Sequence, residues 1–202
     1  MATGPRYKVP FRRRRESKTD YHARRRMVGS GRPRLVVRKT GTRIIVQLME
    51  ALPEGDRSVA AADSRQLKQF GWNAGIKNIP AAYLTGFLAG HRAIKNGVTA
   101  AIVDIGLTTP IPGSRIFSAV RGVIDAGITI PCSDKMFPEE KRIRGEHIAN
   151  YAKDLSDNQP TTFKRQFGDI SKGRVDLTIL PNLYETTKKK ISSKFGSRRS
   201  TT

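Results

Sequence analysis

The side chains able to do acid–base, nucleophilic or metal chemistry are few in this chain and poorly spaced for it. His22, His91 and His147 lie far apart, and none stands in an HExxH or comparable ligand spacing. Cys132 is the single cysteine, so it has no intrachain disulfide partner and makes no cysteine-based zinc site. Nothing beside it would activate a thiolate, and it reads as a small buried hydrophobe. No GxSxG nucleophile elbow occurs. Glu50, Asp63, Asp104 and Asp125 are the raw material for a two-metal nuclease, the enzymatic alternative, although four scattered acids occur in most domains. Asp104, close to the end of an apolar run, is assigned instead to the fold. The loop at residues 104–115 runs from a strand into a helix, where phosphates bind, but it lacks the Gly-Lys-Ser/Thr of a P-loop and the spacing of GxGxxG. Contact of its N–H groups with an RNA phosphate stays open. No catalysis, cofactor, metal or small-molecule substrate is expected.

Phosphate binding is the chemistry the sequence does support. Residues 11–26 read FRRRRESKTDYHARRR, with only Glu16 and Asp20 to offset the cations. A run of like charge cannot fold on itself, and it orders against a dense array of anions. The arginine fork suits phosphate because it donates two bonds at once. Phe11, Tyr21 and His22 stand among the charges where they can stack on unpaired bases. A solvated tail or a nuclear-import signal is the plain alternative for one basic run taken alone.

Charge distribution favours the nucleic-acid reading. The formal net charge is +21, from 38 basic and 17 acidic side chains. The first 26 residues hold ten basic and two acidic, and residues 161–202 hold ten and three. The 134 residues between hold eighteen and twelve, an almost ordinary globular balance. This is a folded body with two arms for a polyanion. It divides into a basic arm (1–33), an α/β core (34–132) and a helical, basic extension (133–202). The ends offer few apolar side chains against chain entropy, so a stable body near 34–155 with mobile ends is expected. The single cysteine fits a reducing compartment. With no signal-peptide core and no apolar run of spanning length, a cytosolic protein without a membrane partner is expected.

The elements follow from patterning. Residues 1–33 read as an irregular arm closing at the GSGRP of 29–33, with a short helix at 19–27 capped by Thr19 or Asp20. Residues 34–40 and 42–49 form a hairpin, with Ile44, Val46 and Leu48 on one face. Residues 53–56 turn into a third strand at 57–63. Asn78 opens a helix that stops at Asn96-Gly97. Gly86 and Gly90 in it are expected to seat it against the sheet. The apolar run at 99–105 predicts a central strand buried on both faces. A helix at 113–126, stopped by Gly127, precedes a short last strand at 128–131. The result is β-β-β-α-β-α-β, a mixed sheet with helices packed on it. Beyond it, Ile143, His147, Tyr151 and Leu155 recur every four residues from a helix starting at Pro138-Glu139-Glu140, and Asn182 with Glu185 predicts a capping box for a last helix through Ile191. These helices read as an extension draped on a partner.

Four stretches together resemble one family: FRRRRESKTDYHARRR at 11–26, PRLVVRKTGTRIIVQL at 33–48, AAYLTGFLAGHRA at 81–93 and DIGLTTPIPGSRIFSAVRGVIDAGITIP at 104–131. That family is universal large-subunit ribosomal protein eighteen in its archaeal and eukaryotic form, whose eukaryotic member is called ribosomal protein L-five. The resemblance covers about residues 5–155 in order, with the archaeal branch nearest. It implies a non-catalytic cytoplasmic protein of the large ribosomal subunit. Such a protein binds 5S rRNA, attaches it to the central protuberance, and touches 23S rRNA and neighbouring ribosomal proteins. By position it implies RNA contacts for Arg12, Arg13, Arg14, Arg15, Lys18, Thr19, Tyr21, Arg24, Arg25 and Arg26. Charge alone adds Arg32, Lys164, Arg165, Lys188, Lys189 and Lys190. Ser17 stands where relatives commonly have Gly, which questions the backbone turn there. An architectural nucleic-acid binder of no fixed target is the remaining alternative.

Overall fold

The computed structural model describes residues 4–172 and 177–196. The chain enters through two short helices, α1 (Arg12–Arg15) and α2 (Tyr21–Gly29), so the arm carries one helix beyond the one expected at 19–27. Asp20 caps α2, its carboxylate accepting from the N–H groups of His22 (2.9 Å) and Ala23 (3.1 Å).

The hairpin forms as the alternation requires. Strand β1 (Arg34–Lys39) runs antiparallel to β2 (Ile44–Leu52), with Leu35 opposite Leu48 and Val37 opposite Val46. Strand β3 (Gly55–Asp63) continues antiparallel beside β2, with a bulge between Leu48 and Met49. Leu35, Val37, Ile44, Val46, Leu48, Ala60 and Ala62 fill one face and are buried. A 3-10 helix, Ser64–Phe70, and the fully buried Trp72 follow, neither signalled by periodicity.

Asn78 caps α3 (Ile79–Lys95), which packs on β2 and β3, while α4 (Arg115–Asp125) packs on β1. Between the two helices comes β4 (Ile102–Asp104), parallel to β1, giving the order β3-β2-β1-β4. The mixed sheet is thus as expected, but the apolar run at 99–105 supplies an edge strand, not a central one. Ala101 is fully buried and Ile102 and Val103 half-buried, so this cover accounts for the run without a strand on each side. The last strand shrinks to one parallel bridge, Ala100 to Thr129.

Gly86 and Gly90 do not face the sheet. A Cβ on Gly86 would collide with the Ala119 carbonyl of α4, and one on Gly122 with the Tyr83 carbonyl of α3. Absent side chains let the two helix backbones touch. Gly122→Ala is expected to cost about 1–3 kcal/mol, because backbone on both sides has nowhere to move. A thermal melt checks this, and an unchanged midpoint would mean that α3 and α4 do not meet here.

Past the core, one predicted helix is two: α5 (Glu140–Arg144) and α6 (Glu146–Asn158), broken where Gly145 adopts φ 84°. The break resets the helical phase, so His147 and Tyr151 are exposed while Ala149, Ala152 and Leu155 are buried. Helix α7 (Pro160–Lys172) follows, then α8 (Leu180–Gly196). Asn182 lies inside the first turn of α8, its carbonyl accepting from Thr186, so the predicted capping box is displaced. Leu180, Tyr184, Thr187 and Ile191 are buried, and α8 lies along α3. One face of the last helix is therefore covered by the protein's own body. Cys132 is half-exposed, not the buried hydrophobe its type suggests.

Candidate nucleic-acid interface

The arm is docked through a chain of alternating charges. Arg24 on α2 donates to Asp56 (2.8 Å), whose other oxygen accepts from Arg34 (2.6 Å). Arg34 also donates to Asp104 (2.9 Å), and the second oxygen of Asp104 accepts from Arg38 (2.7 Å). Arg34 is 3% exposed and Asp104 5%, so each would be costly without the other. Burial pushes the Asp104 carboxyl up, but the Arg38 guanidinium, the Gly106 N–H and Arg34 together bring it below the usual carboxylate range. Asp56 likewise ends below that range: burial raises it, and Arg34 and Arg24 outweigh burial. This ladder ties α2 to the sheet through the protein's own carboxylates. It also gives Arg24, expected on RNA, a role in holding the arm.

The remaining cations stay outward. Arg12, Arg13, Arg14, Arg15, Lys18, Arg25 and Arg26 are exposed, as is Arg32 in the joint. Glu16 approaches Arg12 at 3.9 Å and Lys18 at 2.9 Å, and Arg13 donates to the Thr19 hydroxyl at 2.8 Å. Between the arm and the outer face of the sheet runs a groove of about 700 Å³, with Arg13, Lys18, Arg24, Arg34 and Arg38 among its walls. Tyr21 is half-buried with its ring 5.5 Å from that of Phe11, while Phe11 is 73% exposed. Phe11 is thus the more exposed of the two rings, and Tyr21 packs against it.

Ser17 makes the turn that its type put in question. Its φ is 50°, the one positive value at a non-glycine among the described residues. Left-handed backbone costs an L-residue roughly 1–2 kcal/mol. Ser17→Gly is therefore expected to slow hydrogen exchange of the arm amides without changing the body's melting temperature. Faster exchange would mean that this turn is not a strained point of the arm.

The C-terminal cations divide. Lys188 turns inward, its Nζ 5.0, 5.5 and 6.0 Å from the ring centroids of Tyr83, Phe87 and Tyr184. It fastens α8 to α3 by cation–π attraction. Lys189 and Lys190 on α8 and Lys164 and Arg165 on α7 are exposed, and none lines the groove beside the arm.

The carboxylates of the nuclease alternative are engaged separately. Glu50 pairs with Arg57 (2.7 Å), and Asp63 with Arg43 (2.9 Å). Asp125 pairs with Arg121 (3.1 Å) and accepts from the Tyr83 hydroxyl (2.7 Å). Among the described residues, no three His, Cys, Asp or Glu side chains are placed to hold a metal. The residue that sequence reasoning missed is Asp56. It sat in a predicted turn, and its partners lie 22 and 32 positions away, so no local signal marked it.

Known proteins resemble this chain over nearly its whole length. Residues 5–100 match the family model described as "Ribosomal large subunit proteins 60S L5, and 50S L18". The chain is 50% identical over 191 residues to the large ribosomal subunit protein uL18 of Thermofilum pendens, spanning 95% of this chain and 97% of that one. It is 48% identical over 196 residues to the uL18 protein of Staphylothermus marinus, spanning 96% and 97%. These alignments continue past residue 155, where recognisable motifs stop, and take in the C-terminal helices. With half of its residues shared over nearly its whole length, the chain belongs to the uL18 family of large ribosomal subunit proteins.

Proposed function

We propose that this protein is a non-catalytic component of the large ribosomal subunit in the cytoplasm, binding 5S rRNA and attaching it to the central protuberance. In this reading 23S rRNA and neighbouring ribosomal proteins are further partners. The observation that carries it is the docked arm, whose exposed arginines face outward while Arg24 is committed to Asp56. Phosphates neutralise what the protein itself leaves unpaired. Preordering the arm lowers the entropy lost on binding.

Pull-down of the full chain from cell extract tests this reading. 5S rRNA should be recovered in about one-to-one ratio, with large subunits, and should resist competition by an unrelated RNA of equal length. Equal competition would favour an architectural binder of no fixed target. Recovery of no 5S rRNA would sink the proposal.

A further inference from the structure

A second cationic site lies on the side of the sheet away from the arm. Alternation along β1 turns Arg34 and Arg38 toward the arm and sets Lys39 on the side of Leu35 and Val37, at the strand's end. There Lys39 shares a pocket of about 360 Å³ with Arg115 of α4 and His147 of α6. Among the described residues no carboxylate lines it. Two cations, Lys39 and Arg115, meet there with no counter-charge among the described lining residues and raise the local potential, which an anion relieves, while the His147 imidazole adds a ring N–H donor. The volume falls near the small end of ligand sites, about 300–1,000 Å³.

Donors are fixed in place around the pocket. Arg115 gives one N–H to the Lys77 carbonyl (3.0 Å), which orients the rest of its guanidinium. The Ser114 side chain makes no capping bond to α4, so its hydroxyl is available to a ligand oxygen. The oxygen of Asn78 is committed to the Ala81 N–H (2.9 Å), leaving its amide nitrogen as a donor. Donors arriving from several elements suit a tetrahedral anion better than a planar carboxylate.

We propose that this pocket, built by Lys39, Asn78, Ser114, Arg115 and His147, binds a phosphate group. Its source is either an RNA backbone or a free phosphate compound. The RNA source rests on the reading of the protein as an rRNA binder, whereas the phosphate chemistry does not.

The full chain and its Lys39→Gln/Arg115→Gln double variant are titrated with inorganic phosphate while the His147 ring resonances are followed by NMR. Both are also titrated on 5S rRNA across a salt series, with and without alanines at the four arginines of α1. An RNA phosphate in the pocket gives an affinity loss of about tenfold in the double variant. Its log–log salt slope should also flatten by roughly one unit, in either arm background. A free phosphate ligand gives a saturable His147 shift in the wild type only, with RNA binding unchanged. Neither effect, or equal effects in both proteins, overturns the proposal. Because Arg115 also holds the Lys77 carbonyl, His147→Gln is measured alongside. A loss in the double variant with a lowered melting temperature, and none in His147→Gln, also overturns it. If the arm variant keeps its full slope while the pocket variant loses a unit, the arm reading fails and this one stands.

Discussion

Asp104→Ala will destabilise the body by about 1.5–3 kcal/mol, because it takes from the buried Arg34 guanidinium one of its two carboxylate partners and leaves a buried N–H donor unsatisfied. For a chain of this size each kcal/mol moves the melting midpoint by roughly 2–4 °C, so a drop of about 3–12 °C is expected by calorimetry. Removing both charges, with Arg34→Met and Asp104→Leu, should cost less than the single change, since the buried guanidinium goes with its partner and Asp56 keeps Arg24. The same ladder sets an acid limit. Asp104 and Asp56 both titrate below the usual carboxylate range when folded. Their contribution is present above the unfolded value, near pH 4, and is lost as pH falls through the folded values. Stability should therefore decline below about pH 4, and less steeply in the double variant. A single Asp104→Ala variant as stable as the wild type would remove the ladder from the account of how the arm is held.

Changing Arg12, Arg13, Arg14 and Arg15 together to alanine will weaken 5S rRNA binding steeply and flatten its salt dependence. Each phosphate contact contributes a log–log slope of roughly −0.7 to −0.9. Four contacts would remove about three units. In α1, however, consecutive side chains point about 100° apart, so the four arginines fan around the helix and cannot all meet one strand. A flattening of about two units is therefore expected, and three would mean that RNA wraps the arm. The body should melt as before, because none of the four is buried. Discrimination against an unrelated RNA should fall less than affinity, since phosphates position while bases and shape specify. Salt-series titrations decide it. An unchanged slope would make α1 a solvated segment and refute the assignment of the arm.

By itself the sequence determined what acts over a few residues. The alternation of Ile44, Val46 and Leu48 placed one sheet face, Asn78 and Asn96-Gly97 bounded α3, and Thr19 or Asp20 marked the start of α2, where the structure puts Asp20. The arginine run announced phosphate chemistry because like charges in sequence cannot neutralise one another. Tertiary structure decided which cations are spare. Arg24 and Lys188 looked like their neighbours in composition, yet one meets Asp56 and the other three aromatic rings. It also decided that Gly86 and Gly122 bring two helices together, and that α8 is covered by α3. Caps and periodicity are local and can be read along a chain. The fate of a charge or a glycine depends on what packs beside it from tens of positions away, and only the folded arrangement supplies that neighbour.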